Sequence, residues 1–272
     1  MDTLSIEDLD TFLLQKQGKI IHQIWFGLIP TKREAKKAFQ SMKMYRESWI
    51  IKNPSWFYFI WNYENCHKFI RTFYPEHHTL YNEYKYLIQK CDVVRYFILH
   101  RYGGMYVDMD YFCNKPFDHV LTNSIYFVET PNKIGSITHI SNSLMYSVPN
   151  HPFWRQLFID LEFSKNLPIY YGRHLTIMFS TGPGMLNRSF HKWRYKYKLN
   201  FLPQRKFHPY GLDNSDEKIS SNVYAIHIGK GSWEEQDSKF LIFIYQEYQI
   251  LLFIIFMFGL LLLIDYKRGE LT

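Results

Sequence analysis

Residues 90–116 read KCDVVRYFILHRYGGMYVDMDYFCNKP, and the rest of the chain is organised around this stretch. A helix is predicted up to the glycine pair at 103–104, because glycine commonly ends helices. A short apolar strand at 105–107 follows and runs directly into two aspartates separated by one residue. This order predicts an acidic pair at the carboxyl end of a buried strand, where α/β sheets bind ligands.

Asp108 and Asp110 are two positions apart, so a strand would place both carboxylates on one face. Such a pair repels unless a cation lies between the two groups, and hard oxygen ligands favour Mg2+ or Mn2+. Asp92 and Arg95 share a helix face, which the glycine turn brings back towards the strand. These positions predict one pocket with three carboxylates and a guanidinium, which suits a sugar linked to a diphosphate. A solvated strand end is the alternative, which the preceding apolar run and the lack of a nearby lysine disfavour.

Strand and helix patterns alternate through the first half of the chain. Such alternation predicts an α/β fold with a parallel, Rossmann-type sheet flanked by helices. The predicted strands lie at 19–26, 55–61, 105–107, 124–129 and from 139 onward, and the predicted helices at 32–49, 66–73 and 81–101.

The segment DVVRYFILHRYGGMYVDMD resembles the sugar-binding region of DxD glycosyltransferases. That family includes inositol phosphoceramide mannosyltransferases, the initiating α-1,6-mannosyltransferase of the yeast Golgi and, more distantly, the clostridial glucosylating toxins. The resemblance covers most of residues 19–233 and is closest to the inositol phosphoceramide mannosyltransferases. It implies a GT-A-like fold, a bound Mn2+ or Mg2+, and transfer of a hexose with retention of configuration. The implied donor is a nucleotide diphosphate sugar, GDP-mannose first or a UDP-sugar.

The resemblance also assigns roles to residues outside the central stretch. Trp25, in the first strand, matches an aromatic that packs on the nucleotide base, although a core tryptophan would have the same pattern. Asn142 lies in a second signature and would present its amide to donor or acceptor; the alternative is a strand residue satisfied by backbone. The tripeptide at 181–183, Thr-Gly-Pro, matches a corner between two helices near the cleft.

A third signature, VYAIHIGKGSW, closes the predicted domain at residues 223–233. By resemblance, His227 is the third protein ligand of the metal, or it bonds the diphosphate; a satisfied core histidine is the alternative. Lys230 is a further candidate for the diphosphate, and Ser232 with Trp233 matches the family's closing loop. Glu234 departs from the family, in which a histidine often follows this pair. In full, the predicted site has a catalytic set (Asp108, Asp110, Asn142), a donor-binding set (Trp25, Asp92, Arg95, Lys230, Ser232, Trp233) and a metal set (Asp108, Asp110, His227).

The composition narrows the classes of partner. The net charge is +7 and the pI about 9.1, which fits an anionic substrate or an anionic membrane surface. Nucleic acid is not expected as a partner, because the chain has no zinc-finger spacing, helix-turn-helix signal or RNP-like motif. The three cysteines show no CxxC spacing, so we expect them to be reduced and to lie in the core.

The end of the chain is strongly apolar. Residues 250–264 read ILLFIIFMFGLLLLI without a polar residue, and residues 240–249 extend this run with some polar positions. We expect a single-pass membrane helix over 240–264, after a polar segment at 1–18 and a transferase domain at 19–239, and before a short tail at 265–272. The alternative is a core helix. No signal peptide is predicted; the resemblance favours the Golgi or another endomembrane.

The acceptor prediction follows from chain length. Only six residues separate Trp233 from Phe240, and six extended residues span ~20 Å. The cleft is therefore expected near the bilayer, with a glycolipid such as an inositol phosphoceramide as acceptor. Two other classes stay open: an inactive module that binds a sugar nucleotide or glycolipid, and a metal-dependent phosphoryl-transfer enzyme. The second would normally need a phosphate loop, and no GxxxxGK[ST] occurs.

Overall fold

The computed structural model describes residues 5–27, 31–122, 124–130, 138–168, 172–209 and 222–229, together with Met257. The helices are α1 (Ile6–Leu14), α2 (Lys32–Ser41), α3 (Lys43–Lys52), α4 (Tyr63–Phe73), α5 (Pro75–Glu83), α6 (Leu87–Tyr102), α7 (Phe153–Ser164), α8 (Gly172–Ser180), α9 (Pro183–Tyr197) and α10 (Gln204–Phe207). The strands are β1 (Ile20–Ile24), β2 (Phe57–Trp61), β3 (Gly104–Val107), β4 (Tyr111–Cys113), β5 (Ile125–Glu129), β6 (Ile140–Ser147), β7 (Asn200–Leu202) and β8 (Ala225–His227).

Six of these strands form one mixed sheet in the order β2-β1-β3-β6-β5-β7. β1 is parallel to β2 and β3, and β5 is parallel to β7, whereas β6 is antiparallel to both β3 and β5. The α/β class is therefore confirmed, but the expectation of a parallel sheet is wrong for its second half. Only residues 130–139 join β5 to β6, and a parallel crossover needs a dozen or more residues.

The glycine pair after α6 allows β3 to lie against β1. Gly103 and Gly104 have φ values of +64° and +88°, in the region that favours glycine. A Cβ on Gly103 would lie 2.6 Å from Cδ of Pro149, and one on Gly104 only 2.4 Å from the carbonyl oxygen of Ile20. His22 closes the same turn: its Nδ1 accepts from the Trp61 indole at 3.1 Å, so its Nε2 donates to the Gly103 carbonyl at 3.0 Å.

The sheet separates two apolar clusters. Tyr106 of β3 belongs to the larger cluster with α1, α4, α6, α7 and α9. Met105 and Val107, on the opposite face, pack in a second cluster with Trp49 of α3 and with the β4–β8 pair. These alternating side chains place β3 between the two clusters, so the residues that follow it start from a fixed position.

Two predicted helices are each divided in the structure. The helix expected over 32–49 breaks at Met42, whose backbone (φ −89°, ψ 2°) caps both α2 and α3. The helix expected over 81–101 is interrupted after Glu83, and α6 starts at Leu87, where the Tyr86 amide donates to the Gln89 side chain at 3.0 Å. Neither break has a glycine or proline, which is why the sequence pattern did not reveal it.

The acidic pair lies in a turn and not along a strand. β3 ends at Val107, and the Tyr111 amide donates to the Asp108 carbonyl at 3.2 Å, which closes the turn before β4. β4 then leaves the main sheet and pairs antiparallel with β8. The expectation that alternation along a strand aligns the two carboxylates is therefore wrong; the turn and the second sheet bring them together.

Candidate active site

The short β4–β8 sheet carries His227 to the acidic turn. Its register places His227 opposite Tyr111, and the Ile228 amide donates to the Asp110 carbonyl at 3.1 Å. His227 Nε2 lies 3.2 Å from Asp110 Oδ1. One ligand atom from each of Asp108, Asp110 and His227 falls within 4.8 Å of the others. The predicted metal set is thus brought together from two segments that are more than a hundred positions apart.

The charges of this cluster favour a cation. Burial raises the pKa of Asp108, and the neighbouring Asp110 charge adds to this, although Arg95 and His227 act in the opposite direction. The pKa of His227 is raised as well: burial lowers it, but the hydrogen bond and charge of Asp110, with the charge of Asp108, outweigh burial. Two carboxylates and one imidazole suit a divalent ion such as Mn2+. The residues therefore fit the metal that the DxD pattern implies.

Asp108 is fixed by contacts from four elements. The Arg95 guanidinium donates to its Oδ1 at 3.2 Å, and the Tyr106 hydroxyl donates to the same oxygen at 2.7 Å. The Gln23 side-chain amide donates to the backbone carbonyl of Asp108 at 3.0 Å, and the backbone amide of Asp108 donates to the Ser143 carbonyl at 2.8 Å. The sequence did not identify Gln23, Tyr106 or Ser143; a glutamine within the apolar strand IIHQI is the one signal that was present.

Asp92 and Arg95 form a buried pair directly behind Asp108. Both are 4% exposed, and an Arg95 guanidinium nitrogen lies 3.0 Å from Asp92 Oδ1. The other carboxylate oxygen accepts from the Thr181 hydroxyl at 3.1 Å. Burial raises the pKa of Asp92 to about 6, against the effects of Arg95 and Thr181. The predicted corner at 181–183 does lie between α8 and α9, and it contacts this pair.

Asn142 of β6 completes the same network. Its side-chain amide donates to Asp92 Oδ1 at 2.9 Å and to the Tyr96 hydroxyl at 3.2 Å, and its backbone carbonyl accepts from Arg95 at 3.0 Å. It is 5% exposed. The side chain is thus satisfied by other side chains, and not by backbone as the structural alternative supposed. That Asn142, Asp92 and Arg95 contact the donor stays a prediction.

Trp25 lies at the edge of the site next to the acidic turn. Its backbone amide donates to the Trp61 carbonyl at 2.8 Å, and its ring packs on Phe39 with 5.6 Å between centroids. The same small cluster contains Met109, the residue between the two aspartates. Trp25 is only partly buried. This location beside the turn agrees with a base platform, and that role stays a prediction.

One residue absent from the predicted set contacts His227 directly. His208, just after α10, has its Nε2 2.8 Å from Nδ1 of His227. Tyr111 stacks on the His227 ring with 4.4 Å between centroids and 12° between planes. The pKa of His208 is lowered to about 4, by burial first and by the charge of His227 second. No sequence motif marked His208, because it is 19 residues from its partner and lies in an irregular polar region.

Lys230, Ser232 and Trp233 lie outside the described residues, as does the apolar segment 240–264 apart from Met257. Within the part of the chain that the structure describes, no helix has the length and apolar character needed to cross a bilayer. The membrane helix and the closing loop therefore stay predictions from sequence.

The acidic turn and the residues before it have counterparts in known proteins. Residues 40–127 match the family model "Glycosyltransferase sugar-binding region containing DXD motif". This stretch of the chain therefore carries the sugar-binding region of that glycosyltransferase family. The match runs from the end of α2 into β5 and contains the Asp92–Arg95 pair and the acidic turn, which confirms the resemblance found in the sequence.

Curated relatives extend the similarity beyond the matched region. "Inositol phosphoceramide mannosyltransferase 2" of Schizosaccharomyces pombe is 33% identical over 82% of this chain and 60% of its own length. "Inositol phosphoceramide mannosyltransferase 1" of the same yeast is 28% identical over 94% of this chain and 76% of its own length. The chain thus spans only about 60% of the first of these relatives. Among solved structures, "PaToxG Glycosyltransferase" aligns over 69% of this chain and 75% of its own at 16% identity, with a TM-score of 0.47.

Proposed function

We propose that this chain is a metal-dependent retaining glycosyltransferase of GT-A type. It moves a hexose, mannose first, from a nucleotide diphosphate sugar to a membrane-associated acceptor of the inositol phosphoceramide class. The observation that carries the proposal is the cluster in which Asp108 and Asp110, inside the family's DXD region, meet His227 from outside it. The names of the curated relatives support mannose and the lipid acceptor.

The reaction breaks the bond between the anomeric carbon of the sugar and the leaving diphosphate. It forms a bond from the same carbon to the acceptor hydroxyl oxygen, whose proton passes to the released nucleotide diphosphate. Negative charge develops on the leaving diphosphate, and a divalent metal at Asp108, Asp110 and His227 would neutralise part of it. The residues around Asp108 hold its carboxylate in place before substrate binds, so little reorganisation is required.

Asp92 and Arg95 serve the donor sugar in this proposal. Their side chains are already bonded to Asn142, Thr181 and Asp108, so the orientation of each polar group is fixed. The rigid network would present a constant pattern of donors and acceptors to the sugar hydroxyls. Trp25, which packs in one small cluster with Met109 of the acidic turn, would stack on the base.

The membrane-associated acceptor has separate support in the sequence. Residues 228–239, twelve in number, separate His227 from the apolar segment at Phe240. Fully extended, twelve residues span roughly 40 Å. A membrane helix at 240–264 would therefore keep the site within reach of lipid head groups, and the net charge of +7 would favour an anionic surface. We propose a membrane location on this basis, and the similarity to inositol phosphoceramide mannosyltransferases favours an endomembrane.

The test offers two acceptors in parallel to the purified full chain with GDP-mannose and Mn2+. Detergent-solubilised inositol phosphoceramide is expected to accept mannose, whereas free soluble oligosaccharides are not. A UDP-hexose in a matched reaction tests the donor. Preference for the soluble acceptors would overturn the lipid assignment. Binding of the donor without release of nucleotide, with either acceptor, would instead indicate the inactive binding module.

A further inference from the structure

His208 and His227 form an arranged pair and not a chance contact. Their ring centroids are 4.9 Å apart, and Nε2 of His208 lies 2.8 Å from Nδ1 of His227. His227 uses its other nitrogen, Nε2, towards Asp110. Hydrogen-bond contacts therefore connect three side chains in series: Asp110, His227 and His208. The last atom of this series is His208 Nδ1, which is buried and has no hydrogen-bond partner among the described residues.

The backbone that carries His208 is held on both sides. Its amide donates to the Gln204 carbonyl at 2.8 Å, and its carbonyl accepts from the Gln204 side chain at 3.0 Å. The preceding Phe207 stacks on Tyr224 with 7° between the rings, and the Tyr224 amide donates to the Lys206 carbonyl at 2.8 Å. These contacts tie α10 to the segment that leads into β8, so His208 and His227 keep their relative position.

The number of ring protons limits what the pair can do. A neutral imidazole has one N–H and one lone pair. To ligate a metal through Nε2, His227 must place its lone pair there and its proton on Nδ1. That proton then points at His208 Nε2, which can accept it only if the His208 proton is on Nδ1. Ligating histidines commonly donate their second N–H to such an acceptor, which fixes the ring and makes the ligand more basic.

We infer that His208 is a positioning residue for the metal site. It accepts a hydrogen bond from the Nδ1–H of His227 and so keeps Nε2 of His227 free to face the metal. The inference rests on the metal site of the proposed function, which it deepens. No role in the site was assigned to His208 by motif or by family. Tyr111, stacked flat on His227, limits rotation of the same ring.

Two substitutions separate the hydrogen bond from ring packing. His208→Phe keeps a ring of similar size but removes the acceptor. His208→Gln removes the ring but keeps an acceptor, because the glutamine side-chain carbonyl can reach the Nδ1 proton. His119→Phe is the matched control: His119 Nε2 makes an equally short 2.8 Å bond to the hydroxyl of Tyr224, next to β8, and not to His227.

The measurement is Mn2+ binding by the full chain, followed by electron paramagnetic resonance of free Mn2+. We expect His208→Phe to bind Mn2+ about 10- to 100-fold more weakly, while His208→Gln and His119→Phe stay close to wild type. Thermal unfolding in EDTA should be similar for all three variants. Wild-type-like Mn2+ binding by His208→Phe, or an equal loss in His208→Gln, would overturn the inference and leave the metal site standing.

A measurement on the wild type covers the case in which a variant does not fold. Nitrogen-15 NMR of the histidine rings with Mg2+ bound should show His227 protonated at Nδ1 and His208 also at Nδ1. A His227 ring protonated at Nε2 under these conditions would contradict the inference. If the wild type binds neither ion, the metal part of the proposed function fails, and the role of His208 fails with it.

Discussion

Two groups of residues that contact the acidic turn are built differently. In one group, Asp108 is held by Gln23, Arg95, Tyr106 and Ser143, which come from four separate elements. In the other group, Trp25 packs mainly on the α2–α3 segment, and none of the ten residues of α2 is buried. The first region has its charged groups fixed before any ligand arrives, whereas the second leaves an aromatic ring partly open.

This difference matches what each region would have to do. Stabilising charge on a leaving group requires preorganised charges, because reorganisation would reduce their effect. Stacking on a base requires only an accessible aromatic face. We therefore expect substitutions in the fixed group to affect stability or the chemical step, and substitutions in the open group to affect donor binding. Four predictions test this contrast, from the largest expected effect to the smallest.

Arg95→Met should cause the largest loss of folding stability. Arg95 is the cation for both Asp92 and Asp108, and removing one member of a buried ion pair costs about 3–5 kcal/mol. Arg101→Met is the control, because Arg101 pairs with Asp10 at a side-chain exposure of 27%, compared with 5% for Arg95. Chemical denaturation measures both variants. Equal losses of folding stability would show that the buried network around Arg95 contributes no more than the more exposed pair of Arg101 and Asp10.

Asp110→Ala should remove nearly all transfer with the fold intact. The lost charge stabilisation is about 3 kcal/mol or more, on the order of a hundredfold in rate. Asp118→Ala is the control, since Asp118 is exposed and its carboxylate accepts a hydrogen bond from the Trp56 indole, away from the metal cluster. Initial rates and thermal unfolding should be measured together. Near wild-type activity of Asp110→Ala in EDTA-treated buffer would rule out the metal site.

Trp25→Ala should raise the KM for the donor and leave the melting temperature near that of wild type. Base stacking on an aromatic side chain contributes about 1–3 kcal/mol. Trp49→Ala is the opposite case, because Trp49 is 1% exposed and its indole donates to the Tyr111 carbonyl at 2.9 Å. It should lower the melting temperature. A large drop in melting temperature for Trp25→Ala, with donor binding unchanged, would place Trp25 in the core instead.

The smallest effect concerns pH. Asp110 and Asp108 raise the pKa of His227, although burial acts against them. Below that pKa, His227 has no lone pair for a metal, so protons and Mn2+ compete. At low Mn2+ the rate should rise as pH increases through the pKa of His227, by at most about tenfold per pH unit. At saturating Mn2+ the rise should move to lower pH; a profile independent of Mn2+ would argue against His227 as a ligand.

Local patterns in the sequence predicted much of the candidate site. The helix with Asp92 and Arg95, the glycine pair and the histidine at a strand end are each defined by a few neighbouring residues. The expectation that the glycine turn returns the helix face to the acidic pair is confirmed by the 3.2 Å contact of Arg95 with Asp108. Such features depend on short-range geometry, which spacing alone determines.

The rest depends on contacts between distant segments. Gln23 and Asp108 are 85 positions apart, and nothing in either local pattern indicates the bond between them. The local pattern at Asp108–Asp110 predicts a strand and not a turn, because the pairing of β4 with β8 is not visible from the residues around the turn. His208 has no local signal for the same reason. Spacing predicts which side chains share a face, but tertiary pairing decides what that face meets.

The most direct test of the account is nucleotide release from GDP-mannose with inositol phosphoceramide as acceptor, with and without Mn2+. The wild-type chain should release GDP in step with mannosylated lipid, and EDTA should abolish both, with recovery on adding Mn2+. Asp110→Ala should lose nearly all of both, on the order of a hundredfold in rate, at any Mn2+ concentration. Equal GDP release and equal lipid product in EDTA and in Mn2+ would contradict the claim that Asp108, Asp110 and His227 hold the metal on which transfer depends.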